Sequence, residues 1–146
     1  MHTSTSTCSV LTATACVAFF VGCGKNDPGI GPLGIVKGHV TFESVAVTEG
    51  TVQFSNATKG YAGTGEIDKE GRYLVRSENG GLPIGDYQVS VMPPIIAVSG
   101  GPNTPSSEGP KEIPTIPRKY RSTETSGLTM TIREGENTYD IQMKKE

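Results

Sequence analysis

Apolar residues recur at every second position along much of this chain. Val36, Gly38, Val40 and Phe42 fall on one side of an extended segment, with Lys37, His39 and Thr41 on the other. The same period returns at Val52 and Phe54, at Tyr73 and Val75, and at Tyr87, Val89 and Val91. It recurs at Leu128, Met130 and Ile132, and again at Tyr139, Ile141 and Met143. A two-residue repeat puts alternate side chains on opposite faces of a β-strand. These runs, with a glycine-rich one over Tyr61–Ile67, predict an all-β domain, a seven-stranded antiparallel β-sandwich with one face of each strand inward. No stretch of helical period follows Cys23. Asp68-Lys69-Glu70-Gly71 and Glu134-Gly135-Glu136-Asn137 are predicted hairpins in which glycine takes a positive φ. Pro83 and Gly85 shape the approach to the strand of Tyr87.

One connection breaks the rhythm. Residues 93–117 contain seven of the ten prolines, and Ser99–Gly109 has no large apolar side chain. Proline removes backbone donors, so the segment is not a central strand. It is expected as a structureless, Pro-rich loop outside the core, either a plain insertion or a partner-binding element. Ile113, Ile116 and Tyr120 are expected to dock the returning chain onto the sandwich.

The N-terminal region differs in kind. Val10–Val21 is apolar or small throughout and is followed by Gly22-Cys23-Gly24-Lys25. It is too short to span a bilayer, which needs roughly 20 residues, and reads as the apolar region of a secretory signal. Phe20-Val21-Gly22-Cys23 resembles the lipobox of bacterial lipoproteins, in which the cysteine receives a diacylglyceryl group and becomes the new N-terminus. The expected organisation is a signal peptide over residues 1–22, the lipidated Cys23 with a flexible linker over 23–34, and the domain over 35–146. The prolines and glycines of Gly24–Gly34 would hold the domain at most ~35–40 Å from the acylated cysteine. Cys8 and Cys16 leave with the signal, so the mature chain keeps Cys23 alone and has no disulfide available. Gly24 supplies no aspartate-type retention signal, which favours an outer membrane over an inner one.

The charged residues all follow Cys23 and give a net charge of −2 without a basic block. That balance points away from nucleic acid and from an anionic membrane surface as partner.

Gly38-His39-Val40-Thr41-Phe42, followed by Val47-Thr48-Glu49-Gly50-Thr51-Val52-Gln53-Phe54, resembles the opening of carboxypeptidase regulatory-like domains, which share the transthyretin-like sandwich. Gly65–Tyr73, with Leu82-Pro83-Ile84-Gly85-Asp86-Tyr87-Gln88-Val89, is similar to that domain's second half. Ile116–Tyr120 and Thr125–Thr129 resemble the endings of small bacterial lipoproteins built on it. The resemblance implies a small extracytoplasmic sandwich, usually non-catalytic, whose glycines and tyrosines serve turns and core.

Candidate chemistry is sparse. His39 is the sole histidine after Cys23 and faces away from Val36 and Val40, so it supplies neither a triad nor a metal shell. Tyr120-Arg121-Ser122 is similar to the terminal motif of transthyretin-like hydrolases, yet it lies inside the chain and the histidines of that activity are absent. The two-tyrosine, two-histidine iron site of intradiol dioxygenases lacks its second histidine. Asp68-Lys69-Glu70-Gly71 begins like a calcium loop but lacks the distal glutamate. With no Trp, carbohydrate stacking has only Tyr61 and Tyr120 as candidates. Asn56-Ala57-Thr58 matches a glycosylation sequon and is read as incidental. No catalytic residue, cofactor or metal is expected, and Cys23 is the one assigned site. The expected role is a non-catalytic, lipid-anchored envelope module with a protein or glycan partner; the alternatives are a small envelope enzyme and a secreted periplasmic carrier.

Overall fold

The computed structural model describes residues 30–98 and 107–145. Its twelve strand segments are β1 (Leu33–Phe42), β2 (Val45–Ala46), β3 (Thr51–Asn56), β4 (Tyr61–Glu66), β5 (Arg72–Val75), β6 (Leu82–Pro83), β7 (Gly85–Met92), β8 (Ile95–Val98), β9 (Ser107–Pro110), β10 (Leu128–Ile132), β11 (Gly135–Thr138) and β12 (Ile141–Met143). Two sheets face each other across one apolar core, giving an all-β, sandwich-like body. The first is built on β1, which pairs β2, β5 and β6 on one edge and β11 and β12 on the other. The second runs in the order β10-β7-β3-β4.

The two-residue period sorts the side chains as the sequence predicts. Val36, Val40, Val52, Phe54, Tyr73, Val75, Tyr87, Val89, Val91, Ile132, Ile141 and Met143 are all buried, while Lys37 and His39 are exposed. Phe54 meets Tyr73 across the two sheets with ring centroids 6.3 Å apart. Rings buried to this extent contribute several kcal/mol of apolar transfer between the sheets.

The glycines of β4 have a packing reason. A side chain at Gly63 would strike Leu82 and Val75, and one at Gly65 would strike the Leu74 backbone. Here the two sheets meet along one edge, joined by bridges between Thr64 and Arg76 and between Ile67 and Tyr73. The turn before β5 is the expected one. Gly71 has φ +79°, and its N–H donates to the Asp68 carbonyl at 2.9 Å.

Four expectations need correction. The sheets are not antiparallel throughout, because β1 runs parallel to β11 and β12. Glu134–Asn137 is accordingly not a hairpin but a crossing from the second sheet to the first, with Gly135 at φ +82°. Residues 93–117 are not one structureless loop, since β8 and β9 form an antiparallel ribbon in register from Ile95–Pro110 to Val98–Ser107. Pro110 sits at the ribbon's end, where a missing N–H breaks no interior ladder. Leu33 and Gly34, read as the end of the linker, are the first residues of β1 and pair with Pro83 and Leu82.

Ile113, Ile116 and Tyr120 dock on the core as expected, all three buried. Tyr120 lies in a one-turn 3₁₀ helix, Arg118–Arg121, which is followed by a one-turn helix α1, Thr123–Ser126. Ser122 caps α1, and Gly127 ends it at φ +67°.

Candidate functional site

The residues with candidate chemistry are distributed over the body and serve mainly to hold it. Cys23 lies outside the described residues. His39 stands on the outer face of β1, where its N–H donates to Asp140 Oδ1 at 2.9 Å and its ring Nδ1 lies 3.7 Å from the same oxygen. One imidazole and one carboxylate, both more than half exposed, ties the β11–β12 connection to β1 and brings no nucleophile with it. Among the described residues no three His, Cys, Asp or Glu side chains cluster closely enough to hold a metal ion.

Asp68 spends its carboxylate on its own turn. Oδ1 accepts from the Glu70 and Arg72 N–H groups at 3.0 and 2.8 Å, and Oδ2 accepts from Arg72 Nε at 2.9 Å. Partial desolvation pushes the Asp68 carboxyl up, but these bonds and the Arg72 charge outweigh it and hold it below its ordinary range.

Tyr120-Arg121-Ser122 is also structural. The Tyr120 hydroxyl accepts from the Lys144 N–H at 3.3 Å. Arg121 donates through Nε to the Ile116 carbonyl at 2.9 Å and through Nη2 to the Ile113 carbonyl at 3.3 Å. Its guanidinium thus staples the turn that carries the two buried isoleucines.

The expectation that Tyr61 and Tyr120 offer aromatic surface is corrected. Tyr120 is buried, and Tyr61 packs partly buried against the core because it lies opposite the inward-facing Asn56. The remaining tyrosines are core or half-buried, and burial raises the Tyr73 and Tyr87 phenols above their ordinary pKa. Asn56, the sequon asparagine, is 6 % exposed, and its Oδ1 accepts from the Lys59 N–H at 2.9 Å. A glycan attaches at the amide nitrogen, and the burial of this residue leaves that nitrogen largely covered.

The two outer faces differ in chemistry, a contrast carried by the alternate positions of each strand. The first sheet shows Lys37, His39, Arg72 and Arg76 beside Glu136 and Asp140, with Lys37 Nζ bonded to Glu136 at 2.7 Å. The second shows mostly uncharged hydrogen-bonding groups, Thr51, Gln53 and Ser55 on β3, Thr64 on β4, Gln88 on β7, and Thr129 and Thr131 on β10, with Glu66 and Asp86 as carboxylates among them. A groove of about 460 Å³ crosses this neutral face where the β3–β4 turn curls toward β7 and β10. Sequence reasoning concentrated on inward residues and on single ionisable groups, and so passed over this face. The signal was present in the positions between the core residues.

The two ends of the body also differ. Gly34 lies against Ile132, and Ile132 pairs with Gly85, so β1 begins at the end where β7 begins. The ribbon of β8 and β9 follows Met92, at the opposite end of β7. Ile95 and Ile96 on the ribbon are exposed, as is Val45 beside the β1–β2 turn. The ribbon's base is held by Lys111, whose Nζ bonds both oxygens of Glu49 at 2.8 and 2.9 Å.

No protein-family model, curated protein or solved structure matches this chain.

Proposed function

We propose that this protein is a lipid-anchored sandwich of the transthyretin-like, carboxypeptidase regulatory-like type that acts as a non-catalytic binding or structural module at the cell envelope. The observation that carries the reading is the order of three segments along the chain. An apolar run ends at Gly22-Cys23, a short Gly/Pro-rich stretch follows, and a β-body begins at Leu33. Acyl chains on Cys23 supply the anchor, since each buried methylene contributes ~0.8 kcal/mol and two or more chains together hold stably. The linker enters the body at the start of β1, at the end opposite the β8–β9 ribbon.

A non-catalytic role fits what the polar residues do. His39 ties β1 to Asp140, Asp68 shapes its turn, and Arg121 staples the docking segment. The outer membrane is the proposed location, with the domain outside the cytoplasm. The test is Cys23→Ser in cells. The substituted protein should leave the membrane fraction for the soluble envelope fraction or accumulate as an uncleaved precursor. Mature protein that stays membrane-bound after the substitution would overturn the anchor.

A further inference from the structure

We infer that the groove on the neutral face of the β10-β7-β3-β4 sheet binds a neutral oligosaccharide. The inference deepens the binding-module reading and rests on it. Ser55, Thr58, Asp86, Gln88, Thr129 and Thr131 give the groove its exposed or half-exposed polar side chains, on three adjacent strands and the β3–β4 turn; Ala57, Met130 and the buried Asn56 and Tyr87 complete its lining. Its volume of about 460 Å³ lies within the range of small-molecule sites and accommodates a short run of sugar rings.

The lining selects the ligand class by elimination. It contains no lysine or arginine, and its one carboxylate, Asp86, would repel a phosphate or carboxylate ligand. An apolar ligand would strip water from several hydroxyls and an amide without replacing their hydrogen bonds, which is costly. A polyol replaces that water in kind. The Thr131 hydroxyl already donates to Asp86 Oδ1, which fixes the carboxylate and leaves Oδ2 to accept from a sugar hydroxyl. Among the described residues the side chains of Ser55, Thr58, Gln88 and Thr129 make no hydrogen bond within the protein. Gln88 can donate and accept at once, and the three hydroxyls can do either, which matches the mixed polarity of a sugar edge. The Tyr87 ring is buried and does not stand ready to stack, so binding depends mainly on hydrogen bonds and a Kd of about 1 mM is expected.

Saturation-transfer NMR on the full-length protein, in a detergent without a sugar headgroup, suits an affinity of this order. The probes are the neutral tetramers of N-acetylglucosamine and of glucose, and the cationic tetramer of glucosamine. A saturable signal from a neutral tetramer is expected. It should fall at least about fivefold in Asp86→Ala/Gln88→Ala, and equally in Thr129→Arg, which fills the groove from an exposed position. Lys37→Ala on the opposite face should leave it unchanged. Absence of signal with both neutral tetramers, signal only with the cationic one, or signal indifferent to the groove variants would each overturn the site. The titration does not depend on acylation, so its failure is distinguishable from loss of the membrane anchor.

Discussion

The Tyr87 hydroxyl donates to the Pro83 carbonyl at 2.9 Å, closing the turn that leads into its own strand. The ring is buried at the same time, so one side chain fixes both the core and the approach to β7. Tyr87→Ala should cost on the order of 3 kcal/mol, as large-to-small aromatic changes in cores do. Tyr87→Phe should cost about 1 kcal/mol, the worth of one hydrogen bond whose acceptor is left unpaired. His39→Ala, on an exposed face, should cost less than ~0.5 kcal/mol. Denaturant melts measure all three, and the order of the three costs tests the assignment of strand faces.

Arg121 holds two carbonyls at once, on residues that are themselves core. Arg121→Ala should cost about 2 kcal/mol because the Ile113 and Ile116 carbonyls lose a charged donor. Arg121→Lys should recover little of this, since a single ammonium does not reproduce the fork. Glu112→Ala should cost less than ~1 kcal/mol, its contacts to Arg118 and Arg121 being long and exposed. Equal melts for Arg121→Ala and Glu112→Ala would show that the carbonyl bonds contribute nothing.

Replacing Ser99–Gly109 by a short Gly/Ser bridge removes most of β9 and, among the described residues, none of the core. The folded body should lose less than ~1 kcal/mol, because closure entropy changes slowly with loop length and the isoleucines of β8 are already exposed. Lys111→Ala tests the ribbon's base instead. It should cost less than ~1 kcal/mol, as its pair with Glu49 is about two-fifths exposed on each side. A loss of several kcal/mol in the bridged variant would mean that the ribbon packs on the sheet.

Stability should fall in acid, and the sign follows from the carboxylates. Asp68, Glu124 and Glu136 are each held below their ordinary range in the folded protein. For Glu124 the leading cause is the Ser122 hydroxyl, and for Glu136 the hydrogen bond from Lys37. A depressed folded pKa contributes stability that is present above the unfolded value and is lost as pH falls through the folded one. Thermal midpoints should therefore be level near neutrality and drop below roughly pH 4–5. Asp68→Asn keeps an acceptor for the turn but loses the charge. Its midpoint should be lower at pH 7 and decline less steeply in acid than that of the natural chain. Parallel acid profiles for the two proteins would show that the Asp68–Arg72 pair has no part in the decline.

Along the strands, the sequence was legible because burial of one face imposes a period that survives in the primary structure. Val36 and Val40, Tyr87 and Val89, and Ile141 and Met143 are read correctly from alternation alone. Ile113 and Ile116 could be read too, as apolar residues that return after Ser99–Gly109, a stretch with no large apolar side chain. Gly71 marks its turn because few other residues adopt its φ at no steric cost.

Alternation states which way a side chain points and is silent on which strand lies beside it. Glu134–Asn137 after Ile132 looks like a hairpin turn, yet the chain there crosses to the other sheet and Gly135–Thr138 lies parallel to β1. That choice depends on where β1 is free, a long-range matter of which edges β5 and β6 have already taken. The glycines of β4 look like a weak strand in sequence and prove to be the place where two sheets close on each other. The neutral groove arises in the same way, since Ser55, Gln88 and Thr129 lie far apart in the chain and become neighbours only through the pairing of β3, β7 and β10. The sequence determined the faces, because burial is a property each residue carries; the tertiary structure decided the partners, because pairing belongs to two segments at once.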